Sequence, residues 1–219
     1  ISGQKSGKGK MYYKKGNIKY DGDFAHNLFN GNGTFNYENG EYYIGQWSKG
    51  LKNGKGVFYY KDGNIKYDGD FVNDKFEGKG KYVYPDGSYY IGAFSNNLMH
   101  GKGTFYYNNG NMRYIGDIAH DQIEGHGKFI YENGEIYIGE WHNNLKNGKG
   151  ILYYKNGNPK YNGDFKNDKI EGNGKKYYED GEVYDGHWSN EIRQGKGKLY
   201  YKNGKLKYEG DFLNDKYSG

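Results

Sequence analysis

Cysteine is absent from the 219-residue chain, which excludes disulfides and thiolate metal sites without fixing the compartment. There are two prolines, and no stretch approaches the roughly 18 consecutive apolar residues of a membrane-spanning helix. Residues Ile1 to Lys10 do not read as a signal peptide. Charge of one sign is never concentrated: 32 basic and 27 acidic residues, net +5, are spread evenly with no run of five like charges. A nucleic-acid footprint needs a concentrated basic stripe, so no nucleic-acid partner is expected. Even ordinary apolar residues are scarce. The AVILMFWYC set makes up 34% of the chain, against an apolar share of about 45–50%, glycine included, in globular domains, which excludes a conventional core.

Glycine, with 39 residues, and tyrosine, with 28, are plentiful instead. Low hydrophobicity with 27% charge would suit disorder, but disordered segments are poor in aromatics and this chain has 19%. Any fold must be built from rings and glycines. Internal repetition shows how. The pattern Tyr-x-Gly-x-aromatic recurs with its glycine at Gly22, Gly45, Gly69, Gly92, Gly116, Gly139, Gly163, Gly186 and Gly210, at spacings that alternate between 23 and 24. Gly-x-Gly keeps step with it, from Gly7/Gly9 and Gly31/Gly33 to Gly195/Gly197, and a tyrosine always follows four residues after the second glycine (Tyr13, Tyr37, Tyr60 and onward to Tyr201). The true period is a 47-residue pair of unlike units.

Between the two patterns lies Asn-Gly or Asp-Gly in eight of nine units, with Lys15-Gly16 the exception. Asn/Asp-Gly between short aromatic runs is a hairpin signal, because glycine accepts the positive φ that tight turns need. The expected fold is all-β: an elongated, twisted, single-layer antiparallel sheet of about nine tandem β-hairpins. In the even units a three-residue loop such as Glu38-Asn39-Gly40 pairs Phe35 with Tyr43 and Gly33 with Gly45. In the odd units a four-residue loop, Lys61-Asp62-Gly63-Asn64, is expected to pair Tyr60 with Ile65, Phe58 with Tyr67 and Gly56 with Gly69. That loop would set Ile18, Ile65, Met112, Pro159 and Leu206 where the even units carry Glu41, Ser88, Glu135 and Glu182. Because side chains alternate across a strand, one face should carry the stacking rings Tyr20, Phe24, Tyr43, Trp47, Tyr67, Phe71, Tyr90, Phe94, Tyr114, Tyr137, Trp141, Tyr161, Phe165, Tyr184, Trp188, Tyr208 and Phe212, each tyrosine lying over bare glycine backbone. Isolated hairpins are marginal, so stability should come from neighbours.

Tyr43-Ile-Gly45-Gln-Trp47, then Gly54-Lys-Gly56 and Asp62-Gly63, with close copies along essentially the whole chain, resembles the MORN repeat (membrane occupation and recognition nexus). The odd units, such as Gly63-Asn-Ile-Lys-Tyr67-Asp-Gly69-Asp-Phe71, are also similar to the variant repeat of bacterial toxin-antitoxin immunity components. Ile118 in place of an aromatic and Lys176 in place of Phe or Leu depart from the pattern. The resemblance implies a scaffolding or partner-binding role, dimerisation, and a disputed binding of phospholipid, with no chemistry of its own. The chain is thus expected to be one array over residues 1–219, without catalytic residues, cofactor or metal. Because it opens on the connector Lys5-Ser-Gly7 and stops at Tyr217-Ser-Gly219, the array is expected to continue beyond one or both ends or to come from a larger protein.

Other motifs read as structural. Gly50-Leu-Lys-Asn-Gly54-Lys55-Gly56 superficially resembles a phosphate loop, yet lacks the Gly-Lys-Ser/Thr that opens a helix. The histidines His26, His100, His120, His126, His142 and His187 share no metal-ligand spacing. Asp23, Asp70, Asp117, Asp164 and Asp211 are expected to form charge ladders with basic neighbours. The basic row Lys19, Lys66, Arg113, Lys160 and Lys207 would line one sheet edge and suit an anionic leaflet, but glutamates at the intervening turns, such as Glu41, Glu135 and Glu182, favour hairpin-to-hairpin pairing. On the face opposite the rings, Ile91, Ile115, Ile130, Ile136 and Ile138, with Tyr89, Tyr106 and Tyr153 nearby, are not required by the repeat, and an apolar patch marks an interaction site. The expected function is a non-catalytic scaffold that presents this surface to a protein partner or to a second copy. The alternatives are a peripheral anionic-phospholipid module, or the accessory array of a larger enzyme or toxin-antitoxin component. The expected location is cytoplasmic, at most peripheral to a membrane or the cytoskeleton.

Overall fold

The computed structural model describes residues 3–218, which contain nineteen strands and no helix. The chain separates into two compact units, residues 1–111 and 112–219. The first holds β1 (Gly7–Tyr12), β2 (Ile18–Ala25), β3 (Leu28–Asn36), β4 (Tyr42–Ser48), β5 (Leu51–Tyr59), β6 (Ile65–Val72), β7 (Lys75–Val83), β8 (Tyr89–Ser95) and β9 (Leu98–Tyr106). The second holds β10 (Met112–Ala119), β11 (Gln122–Ile130), β12 (Ile136–His142), β13 (Leu145–Tyr153), β14 (Pro159–Lys166), β15 (Lys169–Tyr177), β16 (Val183–Ser189), β17 (Ile192–Tyr200), β18 (Leu206–Leu213) and the short β19 (Lys216–Ser218). Within each unit every strand pairs antiparallel with the next, giving a sheet one layer thick. The chain's last residue, Gly219, lies outside the described residues.

The even hairpins have the expected register, with Phe35 opposite Tyr43 and Gly33 opposite Gly45. The odd hairpins correct the expected loop. Tyr60 N–H donates to the Asn64 carbonyl and Gly63 N–H to the Tyr60 carbonyl, which is the closure that Tyr37, Glu41 and Gly40 make in the even unit. Both loops therefore have three residues. The extra residue enters as a β-bulge: Phe58 faces Tyr67, Tyr59 faces Ile65, and Lys66 has no partner of its own. Ile65 accordingly takes the place of Tyr42, not of Glu41. The connectors are also hairpin turns: His26/Asn27, Asn73/Asp74, Asn96/Asn97 and Asn143/Asn144 all have positive φ at both positions, between 48° and 71°, the requirement of a two-residue type I′ turn, which asparagine and aspartate tolerate.

The two glycines of Gly-x-Gly do different work. Gly31, φ 67°, lies in a bulge opposite Asp23. Gly33 and its cross-strand partner Gly22 lie under the Tyr20 ring, where a Cβ on Gly33 would sit 2.3 Å from the Tyr20 hydroxyl. All nine such tyrosines donate their hydroxyl to the carbonyl three residues on, as Tyr20 to Asp23 and Tyr137 to Glu140. A buried polar tip is thereby satisfied within its own strand. Burial raises the hydroxyl pKa of Tyr20 and Tyr184 to about 12.

Rings couple neighbouring hairpins. Tyr67 meets Phe71 and, on the next hairpin, Phe94 edge-on at 5.2 and 5.1 Å; Tyr137 meets Trp141 and Phe165 at 5.1 Å each. Such pairs contribute about 0.5–1.5 kcal/mol beyond area burial. Of the seventeen rings expected to stack, all are buried but Tyr208, which is half-buried beside β19. Ile118 fills an aromatic's place and is 2% exposed.

Candidate interaction surfaces

The turn edge is held by charge pairs between successive hairpins. Because Lys66 occupies the bulge, its stem crosses the Phe58 and Tyr60 rings and its ammonium reaches Glu41 of the preceding hairpin at 2.8 Å. Lys160 meets Glu135, and Lys207 meets Glu182, in the same way. Hydrogen bonding from Lys66 holds the Glu41 carboxyl below the ordinary range. At Glu135 burial pushes the carboxyl up, but the Lys160 ammonium, with Asn133 and Lys146, more than offsets it and the net shift is downward. Three of the five cations of the basic row are thus neutralised in place. Glycines of the phosphate-loop-like stretch serve the fold: Gly50 is in a connector turn, Gly54 in a bulge at φ 101° and Gly56 under Tyr43.

The connector edge is bracketed as well. Asp74 N–H donates to the Lys52 carbonyl while its carboxylate accepts the Lys52 N–H, and Asp168 does the same to Lys146. Glu77, Glu124 and Glu171 accept the first amide of the following connector, at Asn96, Asn143 and Asn190. His26 and His142 are placed at this edge, against Gln4 and Glu124. The recurring aspartates do more than pair with cations. Asp23, Asp70, Asp117 and Asp164 each accept the backbone N–H nine residues on, spanning the glycine bulge, and Asp70 and Asp164 also pair with Lys55 and Lys149.

The face opposite the rings carries the expected isoleucines. In the second unit Ile138 faces Ile151 and Lys128, Ile136 faces Ile130 and Tyr153, and Ile115 lies in the same row on β10. Ile115 and Ile138 are each 44% exposed, while Ile130, Ile136 and Tyr153 are half-buried. In the first unit Ile91, 45% exposed, adjoins Tyr89 and Tyr106, whose rings stack at 4.6 Å. An equivalent cluster there, Ile44 and Val57 beside the stacked Tyr42 and Tyr59, was not singled out from the sequence, nor was Ile151. The register that placed Ile91 would have found them.

The ring face holds cations that periodicity did not reveal. Lys52 lies over Tyr37, Tyr43 and Phe58 and is paired with Asp74 at 3.7 Å; Lys146 lies over Tyr131, Tyr137 and Phe165, with Asp168 at 3.9 Å. Arg193, at the equivalent place, lies over Tyr184 and Phe212 and pairs with Asp215 at 3.1 Å. These cations close the rings from solvent with their stems. Among the described residues no group of three or more His, Asp or Glu is placed to hold a metal ion.

Consecutive antiparallel hairpins with a tyrosine laid over each glycine pair define a tandem hairpin-repeat protein. The MORN-repeat profile matches residues 1–18, 20–42, 43–65, 67–89, 90–112, 114–136, 137–158 and 161–183, and the MORN-repeat variant matches 193–214. The chain belongs to the MORN-repeat family; the variant profile falls on the last odd unit, and the other odd units match the ordinary repeat. No curated protein matches it. Among solved structures, the wild-type TCP10 domain of Danio rerio CPAP is similar at 12% identity and TM-score 0.28, with 93% of this chain and 99% of that chain covered. BamB from Moraxella catarrhalis is similar at 10% identity and TM-score 0.21, over 98% of this chain and 73% of that one.

Proposed function

We propose that this chain is a non-catalytic scaffold whose face opposite the rings receives a protein partner, with the apolar patch of the second unit as the anchor. One observation carries the reading: Ile115, Ile138 and Ile151 occupy a row that contributes nothing to the ring stack, yet are apolar and exposed or half-buried. Forty-seven residues further on, the same row carries Asp185 and Lys198, so the backbone does not require isoleucine. A standard interface buries about 800 Å² per partner and takes most of its energy from a few anchors. The pairing of Lys66, Lys160 and Lys207 with glutamates weighs against the phospholipid reading, since a neutralised cation adds little attraction to an anionic leaflet.

The test copies the natural charged pair into the patch. Ile138→Asp with Ile151→Lys should abolish capture of the partner from an extract of the source cells, while Lys66→Glu with Lys160→Glu leaves capture unchanged. Retained capture by the isoleucine variant, together with loss of anionic-vesicle binding by the lysine variant, would exchange the two readings.

A further inference from the structure

Two residues beyond the second glycine of each Gly-x-Gly, the ring face carries an apolar or aromatic side chain in eight of nine repeats, Phe129, Leu152 and Leu199 among them. The ninth is Lys176. It faces Tyr161 and Tyr184 on the flanking strands, with its ammonium 5.3 Å from the Tyr178 ring centre and 5.4 Å from that of Trp188. The other half-buried cations of this face, Lys52, Lys146 and Arg193, each have rings and a carboxylate. Among the described residues, Lys176 has the rings alone. The opposite charges that act on it, Asp215 and Glu191, make no ion pair with it, and Asp215 is already held by Arg193. Burial and the nearby positive charge of Lys160 hold its ammonium below the usual lysine range. A half-buried cation without a counter-ion is disfavoured where leucine would pack, as Leu152 and Leu199 do in the same row.

We propose that Lys176 and its ring cage form a carboxylate-binding site that takes an aspartate or glutamate side chain of an acidic peptide segment lying on the ring face. The cage supplies one free positive charge, since Lys160 and Arg193 are neutralised by Glu135 and Asp215. One unopposed ammonium on an apolar floor matches a single carboxylate. A phosphate would call for several converging donors. The site lies on the opposite face from the isoleucine patch and does not depend on it.

N-acetylated hexaglutamate amide is the probe, with binding to the full chain measured by calorimetry and by tryptophan fluorescence, which Trp188 should report. Lys176→Leu should weaken binding about tenfold or more, as expected for a lost charge-assisted contact, and should leave the melting temperature equal or higher. Lys175→Leu removes the same charge from the adjacent residue on the other face, where it pairs with Asp185 at 3.0 Å, and should change affinity less than about twofold. Lys176→Met provides the same comparison should leucine pack badly. Equal weakening by Lys175→Leu and Lys176→Leu would reduce the effect to net charge and overturn the proposal. So would tighter binding of inorganic phosphate than of hexaglutamate, or no binding of hexaglutamate to the unaltered chain at millimolar concentration.

Discussion

In the second unit the outward faces of β11 to β13 and of β15 to β18 are built on one repeat and carry opposite chemistry. Across the first run the row reads Lys128, Ile138, Ile151; across the second it reads Lys175, Asp185, Lys198, Glu209, with Lys175–Asp185 at 3.0 Å and Lys198–Glu209 at 2.9 Å. The ring faces behind them are alike: Tyr137 and Tyr184 are both fully buried, each over its glycine pair. The two faces of a single-layer sheet are therefore decoupled. One is fixed by ring-on-glycine packing, and the other is free to carry an ion-pair ladder or an apolar patch. An exposed pair of charges contributes at most about 1 kcal/mol and an exposed isoleucine pair about the same, so folding does not decide between them. The choice is open to recognition.

The comparison would break first at its shared part. Gly150→Ala places a Cβ 2.3 Å from the Tyr137 hydroxyl, and Gly197→Ala places one 2.4 Å from that of Tyr184. Each should cost about 3 kcal/mol or more in denaturant unfolding, because the ring must leave its place and give up its carbonyl; markedly unequal costs would show that the ring faces differ after all. Moving the patch sharpens it further. Asp185→Ile with Lys198→Ile should create a second apolar row and raise partner affinity or self-association, read by sedimentation, with little change in unfolding free energy. A smaller effect is expected at the turn edge. Glu135→Gln should cost about 0.5–1 kcal/mol at neutral pH. Because the folded Glu135 carboxyl lies below its ordinary value, its contribution is present above about pH 4.3 and is lost as pH falls through the folded pKa. The difference between parent and variant should therefore shrink toward pH 3. His142→Ala, at the exposed end of β12 with Glu124 as partner, should stay within about 0.5 kcal/mol.

The repeated parts of this architecture were legible in the sequence. Glycine and tyrosine at fixed spacing gave the register, the ring face and the outward position of Ile91, Ile115 and Ile138. What escaped depends on geometry that spacing does not contain. Counting residues places one extra residue in the odd hairpins but cannot say whether it widens the loop or bulges the strand, and the bulge is what swings Lys66 and Lys160 over the rings toward glutamate. The connectors were visible only as polar gaps, although their Asn-Asn and Asn-Asp pairs are the residues that tolerate two successive positive φ angles. Lys52, Lys146 and Arg193 leave no signal in the spacing, because a long stem can lie on rings while its sequence position looks polar.

The most direct test of whether the isoleucine row serves recognition and not folding is the thermal unfolding of Ile138→Asp with Ile151→Lys, followed by circular dichroism beside the parent chain. A parent-like spectrum and an unfolding free energy within about 1 kcal/mol of the parent are expected, as at Asp185 and Lys198, where the sheet already carries this pair. A loss of about 3 kcal/mol or more would show that the row holds the sheet together and would contradict its assignment to a partner.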